Sequence, residues 1–209
     1  MRHSNRRAFE ERQVPGRLLS ALQAAAWEEG GWLHLVEESE TKHKVADLIS
    51  EGDRLQHADK RFRRELTAWM HSNRSRSHDG VPGYAFDFGD IMSAARPLMV
   101  RTFDMGSGQA AKDRELAEGS PMLAILGTED DSPADWLAAG QALAWVLLRA
   151  QAEGVSASFL NQPIEVPELR PQLRDAVGRK GFPQLLLRMG YGSEVEPTPR
   201  RTVEEVLID

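Results

Sequence analysis

The chain contains no cysteine, so disulfide staples, thiolate nucleophiles and sulfur-ligated zinc or iron–sulfur centres are excluded. It also lacks a long uncharged run. The longest, Trp136 to Leu148, falls far short of the roughly 20 residues that a bilayer span needs. The opening MRHSNRRAFEERQ is basic but has no apolar stretch of the kind a secretory leader carries. The expectation is a cytoplasmic protein with no membrane partner. Positive charge is in deficit as well: 26 Lys and Arg against 32 Asp and Glu leave a formal net charge of −6. Such a balance repels a phosphate backbone, so nucleic acid is not an expected partner.

Catalytic signatures are equally scarce. No GxSxG, HExxH or CxxC occurs, and all six histidines precede Asp79 without an i, i+4 pair backed by a carboxylate. Neither a metal ligand nor a catalytic side chain is assigned. His34 reads as an ordinary strand residue. Gly106-Ser107-Gly108 reads as a structural turn, because no lysine follows where a phosphate loop needs one. The acid pairs Glu38 and Glu40, Asp130 and Asp131, and Glu204 and Glu205 read as solvated charges.

What is present suits one globular domain: 209 residues, 41% hydrophobic. Leu18, Leu22, Ala25 and Ala26 share one helical face, and Gly30-Gly31 stops that helix. Trp32 to Val36 reads as a strand, and Lys44 to Ser50 and Ala58 to Met70 as helices. Ser72 to Asp90 is a long Ser/Gly loop expected to cover a binding cleft. Ile91 to Val100 is a short helix broken at Pro97, and 104–119 has no clear period. Met122 to Leu126 is an apolar strand, followed by a helix from Ser132-Pro133-x-Asp135 to Glu153 whose centre has no wet face. Val155 to Leu160 and Gln184 to Met189 are further strands, and Glu168 to Val177 a surface helix. Two prolines make 193–209 an extended arm, and Val203 to Ile208 has the composition of a terminal strand. Strands alternating with helices predict a helix-flanked sheet of α/β or α+β type.

Two arginine-rich segments, Arg2-His3-Ser4-Asn5-Arg6-Arg7 and Arg200-Arg201, stand at opposite ends of the chain. Guanidinium forks beside a hydroxyl are what a phosphate monoester requires. The bland alternative is a basic terminus and a solvated tail.

The opening segment, followed by Val14-Pro15 and an Ala-rich helix, resembles the start of the FMN-dependent nitroreductase superfamily. RRTVEEV from Arg200 resembles its closing segment. AGQALAWVLLRAQAEGVSASFLNQPIEVPELR and PQLLLRMGYG resemble its central helix, flavin-edge loop and last core strand. The DGVP loop, ASFLNQPIEVPELR and PTPRR resemble more narrowly the Acg-type branch, two nitroreductase-like halves fused in one chain, of which this chain resembles the C-terminal half. The resemblance implies an α+β, three-layer fold with a central mixed sheet flanked by helices and an extended C-terminal arm. It makes 1–209 a single domain with 72–119 as a loop or lid insertion.

It further implies that Arg2, His3, Ser4 and Arg6, with Arg200 or, in a shifted register, Arg201, hold the phosphate of FMN. Asn161 and Gln162 would lie at the flavin N5 edge. The implied function is NAD(P)H-dependent reduction of nitroaromatics or quinones, in which the cofactor does the chemistry. The alternatives are a flavin-sequestering or stress-related protein of the same fold and a non-flavin interaction domain. One departure matters. The family's P-S-x-x-N-x-Q-P-W loop is missing where this chain reads Ala26-Trp27-Glu28-Glu29-Gly30-Gly31-Trp32. A homodimer partner or an absent N-terminal half would have to complete the site.

Overall fold

The computed structural model describes residues 4–86, 90–102 and 106–207. The first part of the chain forms α1 (Gly16–Glu28), β1 (Trp32–Val36), α2 (Ser39–Ala58), α3 (Lys60–Trp69), β2 (Met70–His71), β3 (Val81–Pro82) and a 3₁₀ turn (Gly83–Phe86). The rest forms α4 (Asp90–Thr102), α5 (Gly106–Glu118), β4 (Met122–Thr128), α6 (Pro133–Ala152), β5 (Ser156–Phe159), α7 (Gln162–Glu165), α8 (Arg170–Ala176), β6 (Phe182–Gly190) and α9 (Val203–Val206).

The main sheet has the order β1-β4-β6-β5, with every neighbouring pair antiparallel. All seven residues of β4 are buried, because the strand is covered on both faces. Leu123 and Ile125 pack with Val45 and Ile49 of α2 and Leu173 of α8. Met122, Ala124 and Leu126 alternate onto the opposite face, against Leu22 of α1 and Ala142 and Val146 of α6. Three layers follow from this period of two. A single parallel bridge from the N-terminal segment lies against this antiparallel sheet. Ser4 bridges Ala157 in parallel, and Asn5 N donates to Ala157 O at 3.0 Å, extending the sheet beyond β5.

The structure departs from the sequence reading in several places. The α2 helix does not end near Ser50 but runs to Ala58, past a glycine that looks like a stop. Gly52 is a site of close approach: a Cβ there would meet Gln162 Cβ at 2.7 Å. Residues 106–118 form α5, so Gly106-Ser107-Gly108 is its first turn. That helix packs through Ala110 and Ala117, residues too small to write an apolar stripe. Val203–Val206 is helix instead of strand, because Thr202 and Glu205 form a reciprocal capping box. The centre of α6 does have a wet face in this chain, carrying Leu137 and Trp145.

Asp131, read as a solvated charge, ties three elements together. Arg170 of α8 grips it with two bonds of 2.7 and 2.9 Å, Trp136 Nε1 donates at 2.8 Å, and Gln184 of β6 donates at 3.0 Å. Arg170 first, then Trp136, hold its carboxyl far below the usual carboxylate range. A depressed folded pKa contributes stability that is full above the unfolded value near 4 and is lost as pH falls through the folded value. Asp131→Asn is expected to cost about 2 kcal/mol at neutral pH, and the penalty should shrink in acid. Denaturant melts of both proteins at neutral and acid pH check this, and a pH-independent difference would refute it.

Candidate functional site

Residues from the N-terminal segment, Ser4 to Arg7, and from the C-terminal arm, Val195 to Arg200, line one hollow. Beyond β6 the arm returns across the 72–86 segment and is fastened to it: Tyr84 OH donates to Pro197 O at 3.0 Å, Arg201 pairs with Asp79 at 2.5 Å, and His78 contacts Glu205 at 2.8 Å. This places Arg200 beside the N-terminal strand. Ser4, Arg6, Arg7 and Arg200, with Gly80, Tyr84 and Thr198, line a hollow of about 220 Å³. The Gly80–Ala85 part of the Ser/Gly loop thus borders the cationic end of the site; 87–89 lie outside the described residues.

Arg6, Arg7 and Ala85 also line a neighbouring hollow of about 520 Å³, which reaches Lys112, Ser158 and Arg188. Arg188 is 1% exposed. Its Nη2 donates to the carbonyls of Asn5 and Arg7 at 3.0 and 2.9 Å, and its guanidinium lies over Phe9, 4.3 Å from the ring centroid. Nε and Nη1 have no hydrogen-bond partner among the described residues. Burial lowers its pKa to about 10, which leaves it charged at neutral pH. A buried cation with idle donors is costly unless something else occupies them.

Arg6, Gln109, Asp113 and Phe159 join this space to a third hollow of about 350 Å³, so the three form one trough. The inner end is apolar and acidic, with Phe62, Leu66 and Met70 beside Asp53, Asp113, Gln162 and Glu165. Gln162 Nε2 donates to Asp53 Oδ1 at 3.1 Å and to Asp113 Oδ2 at 2.9 Å, bridging the two carboxyls. Asp53 is 2% exposed, and its Oδ2 has no partner among the described residues. Burial first, and the Asp113 charge second, raise its pKa well above the usual carboxylate range.

Of the residues expected from sequence, Ser4, Arg6 and Arg200 are brought together at one end of the trough. Arg2 and His3 lie outside the described residues. Arg201 turns instead to Asp79 and is not among the residues lining that hollow. Asn161 and Gln162 line the far end, although Asn161 Oδ1 is committed to Leu186 N at 2.9 Å, where β5 gives out. Asp53, Asp113 and Arg188 were missed. A signal for the first existed: Val45, Ile49, Asp53 and His57 stand four apart on the core-facing stripe of α2. Among the described residues no group of acids and histidines could hold a metal ion, and no helix is long and apolar enough to cross a membrane.

No family model matches the sequence. A Mycobacterium tuberculosis H37Rv protein, Rv3131, provisionally named an NAD(P)H nitroreductase, is 34% identical over 214 residues, 99% of this chain and 59% of its own length. Another from that strain, named acg with the same provisional function, is 34% identical over 86 residues, 39% of this chain and 26% of its own length. The chain therefore spans little more than half of the longer-matched relative. Among solved structures, an FMN and NADPH-dependent nitroreductase, NfnB from Sphigopyxis sp. strain HMH, superposes with TM-score 0.62 at 18% identity, covering 99% of this chain and 94% of that one. That likeness shows the fold.

Proposed function

The chain belongs to the nitroreductase superfamily, and from that premise we propose that it is an FMN-binding oxidoreductase that takes electrons from NAD(P)H and passes them to nitroaromatics or quinones. The observation that carries the reading is the trough itself, cationic at one end, apolar and acidic at the other. The residues present fit the cofactor. A phosphate monoester needs several charge-assisted donors, and Ser4, Arg6 and Arg200 share one hollow. Arg188 adds positive charge beside the neighbouring hollow, which Lys112 and Ser158 also line. FMN, when bound, supplies the two-electron exchange between nicotinamide and acceptor. The protein's part is to bind, orient and exclude water. Arg200 neutralises phosphate charge, the Arg188 fork anchors residues 4–9 beneath it, and Gln162 holds the acids at the inner end.

The exposed apolar face of α6 and the missing Ala26–Trp32 loop motif favour a second nitroreductase-like half as partner, a copy of this chain or the remainder of a longer one. Flavin titration of the parent, Arg200→Ala and Arg12→Ala proteins tests the cofactor assignment. Arg12 stacks on Tyr191 outside the trough. Losing one charge-assisted contact of about 1.5–3 kcal/mol should weaken FMN binding roughly tenfold to a hundredfold in Arg200→Ala and leave Arg12→Ala unchanged. Equal affinities would overturn the phosphate site. Nicotinamide oxidation with 1,4-naphthoquinone tests turnover, and flavin binding without it would point to sequestration.

A further inference from the structure

The acid pair at the inner end of the trough takes no part in the phosphate contacts proposed above, and a carboxyl as buried as Asp53 is costly to place there without a use. Asp53 and Asp113 come from helices that face each other, at positions where both helices otherwise bury small or apolar side chains. Gln162 reaches them because Gly52 lets α7 approach α2. Its two amide hydrogens are spent on Asp53 Oδ1 and Asp113 Oδ2. Asp53 Oδ2 is thereby left buried without a hydrogen-bond partner among the described residues, while the partly exposed Asp113 lines the hollow with Phe62, Leu66 and Phe159.

We propose that Asp53 and Asp113 hold a single proton between them, and that the pair presents it to the carbonyl oxygen of a planar quinone lying in the apolar end of the trough. The inference rests on the oxidoreductase reading and assigns the proton donor within it. Burial of Asp53 first, and the charge of the adjacent Asp113 second, push the Asp53 carboxyl up to about 7, so the two do not both ionise cheaply. Other groups facing the pair are Arg54 and His57 of α2, Arg6 of the N-terminal segment, Glu165 of α7 and Arg188 of β6. From α3 only the apolar Phe62 and Leu66 face it. Reduction of a quinone by a reduced nicotinamide consumes one proton besides the hydride: quinone + NAD(P)H + H⁺ gives hydroquinone + NAD(P)⁺. That proton leaves the acid pair. The carboxyl O–H bond breaks as the hydroquinone O–H bond forms, and the doubly ionised pair then takes one proton from solvent.

Infrared spectroscopy of the flavin-free chain should show a carboxylic-acid band that titrates near neutrality, is absent in Asp53→Asn and moves toward the ordinary range in Asp113→Asn. Calorimetric binding of 1,4-naphthoquinone should weaken by about tenfold for each pH unit above that midpoint. An asparagine amide keeps a hydrogen-bond donor but has no proton to give, so Asp53→Asn should bind the quinone without pH dependence, while its kcat falls and its KM does not rise. No band titrating between about pH 5 and 9, or quinone binding that is flat or tighter at high pH, overturns the proposal, the last pointing to a cation site. Loss of these effects with turnover intact sinks the proton assignment alone. A titrating pair and pH-dependent quinone binding without any nicotinamide-driven reduction support the site and sink the oxidoreductase reading instead.

Discussion

An Arg188→Met chain should fold and yet lose its hold on residues 4–9, with FMN binding weakened by roughly a hundredfold to a thousandfold. Arg188 gives hydrogen bonds to the carbonyls of both Asn5 and Arg7, and it also carries the Phe9 ring. Bonds from a charged donor contribute about 1.5–3 kcal/mol each, so removing two weakens docking of the segment by about 3–6 kcal/mol. Methionine offsets part of this, because it no longer buries a cation with two idle nitrogens. The net effect falls on the segment and not on the sheet. Leu186, Leu187 and Met189, the neighbours of Arg188 on β6, stay buried in the two cores. Amide exchange separates the two. Asn5, whose N–H bonds to Ala157 O, and Glu10, whose N–H bonds to Tyr191 O, should exchange about a hundredfold faster, while the amides of β4 keep their protection. Arg188→Lys keeps the charge but not the fork, and should rescue little. Unchanged exchange at Asn5 would show that the fork does not anchor the strand.

The elements that were legible in sequence are those whose stability is written locally. Met122 to Leu126 announces a buried strand by continuous hydrophobicity. Ser132-Pro133-x-Asp135 announces a helix start by capping chemistry, and both the strand and the reciprocal cap are present. Where packing depends on a distant partner, the local text is silent or misleading. Gly52 resembles a helix stop until α7 is seen pressed against it, and α5 has no stripe because it docks through alanines. Asp131 resembles a solvated charge because Arg170 stands 39 residues away. The candidate site divides along the same line. Its cationic end was legible as a pattern, since arginines beside a hydroxyl recur at opposite ends of the sequence, and Ser4, Arg6 and Arg200 do line one hollow. Its acid end was not, since Asp53 and Asp113 are unremarkable residues on polar helices until the fold buries one of them.

Charging the exposed face of α6 should have the largest effect of all, on assembly. Trp136, Leu137, Trp145 and Leu148 are 54, 73, 52 and 56% exposed, and Trp27 of the adjoining α1 is 73% exposed. Contiguous apolar surface of this kind is rare on a monomer and marks a surface that another protein covers. These side chains already stand in water in the isolated chain, so Leu137→Glu combined with Leu148→Glu should leave its melting temperature nearly unchanged. In an assembly that buries the face, each carboxylate would be stripped of water without a counter-charge, at a cost of several kcal/mol. The dissociation constant should then rise more than about a thousandfold. Light scattering is expected to give a dimeric mass for the parent and a monomeric mass for the double variant. The flavin affinity of the variant should fall with it, because the residues missing between Ala26 and Trp32 would no longer be supplied from across the interface. A variant that stays dimeric removes α6 from the interface. A parent that is monomeric at micromolar concentration reassigns the face to the remainder of a longer chain, as expected if its relatives keep both halves in one polypeptide.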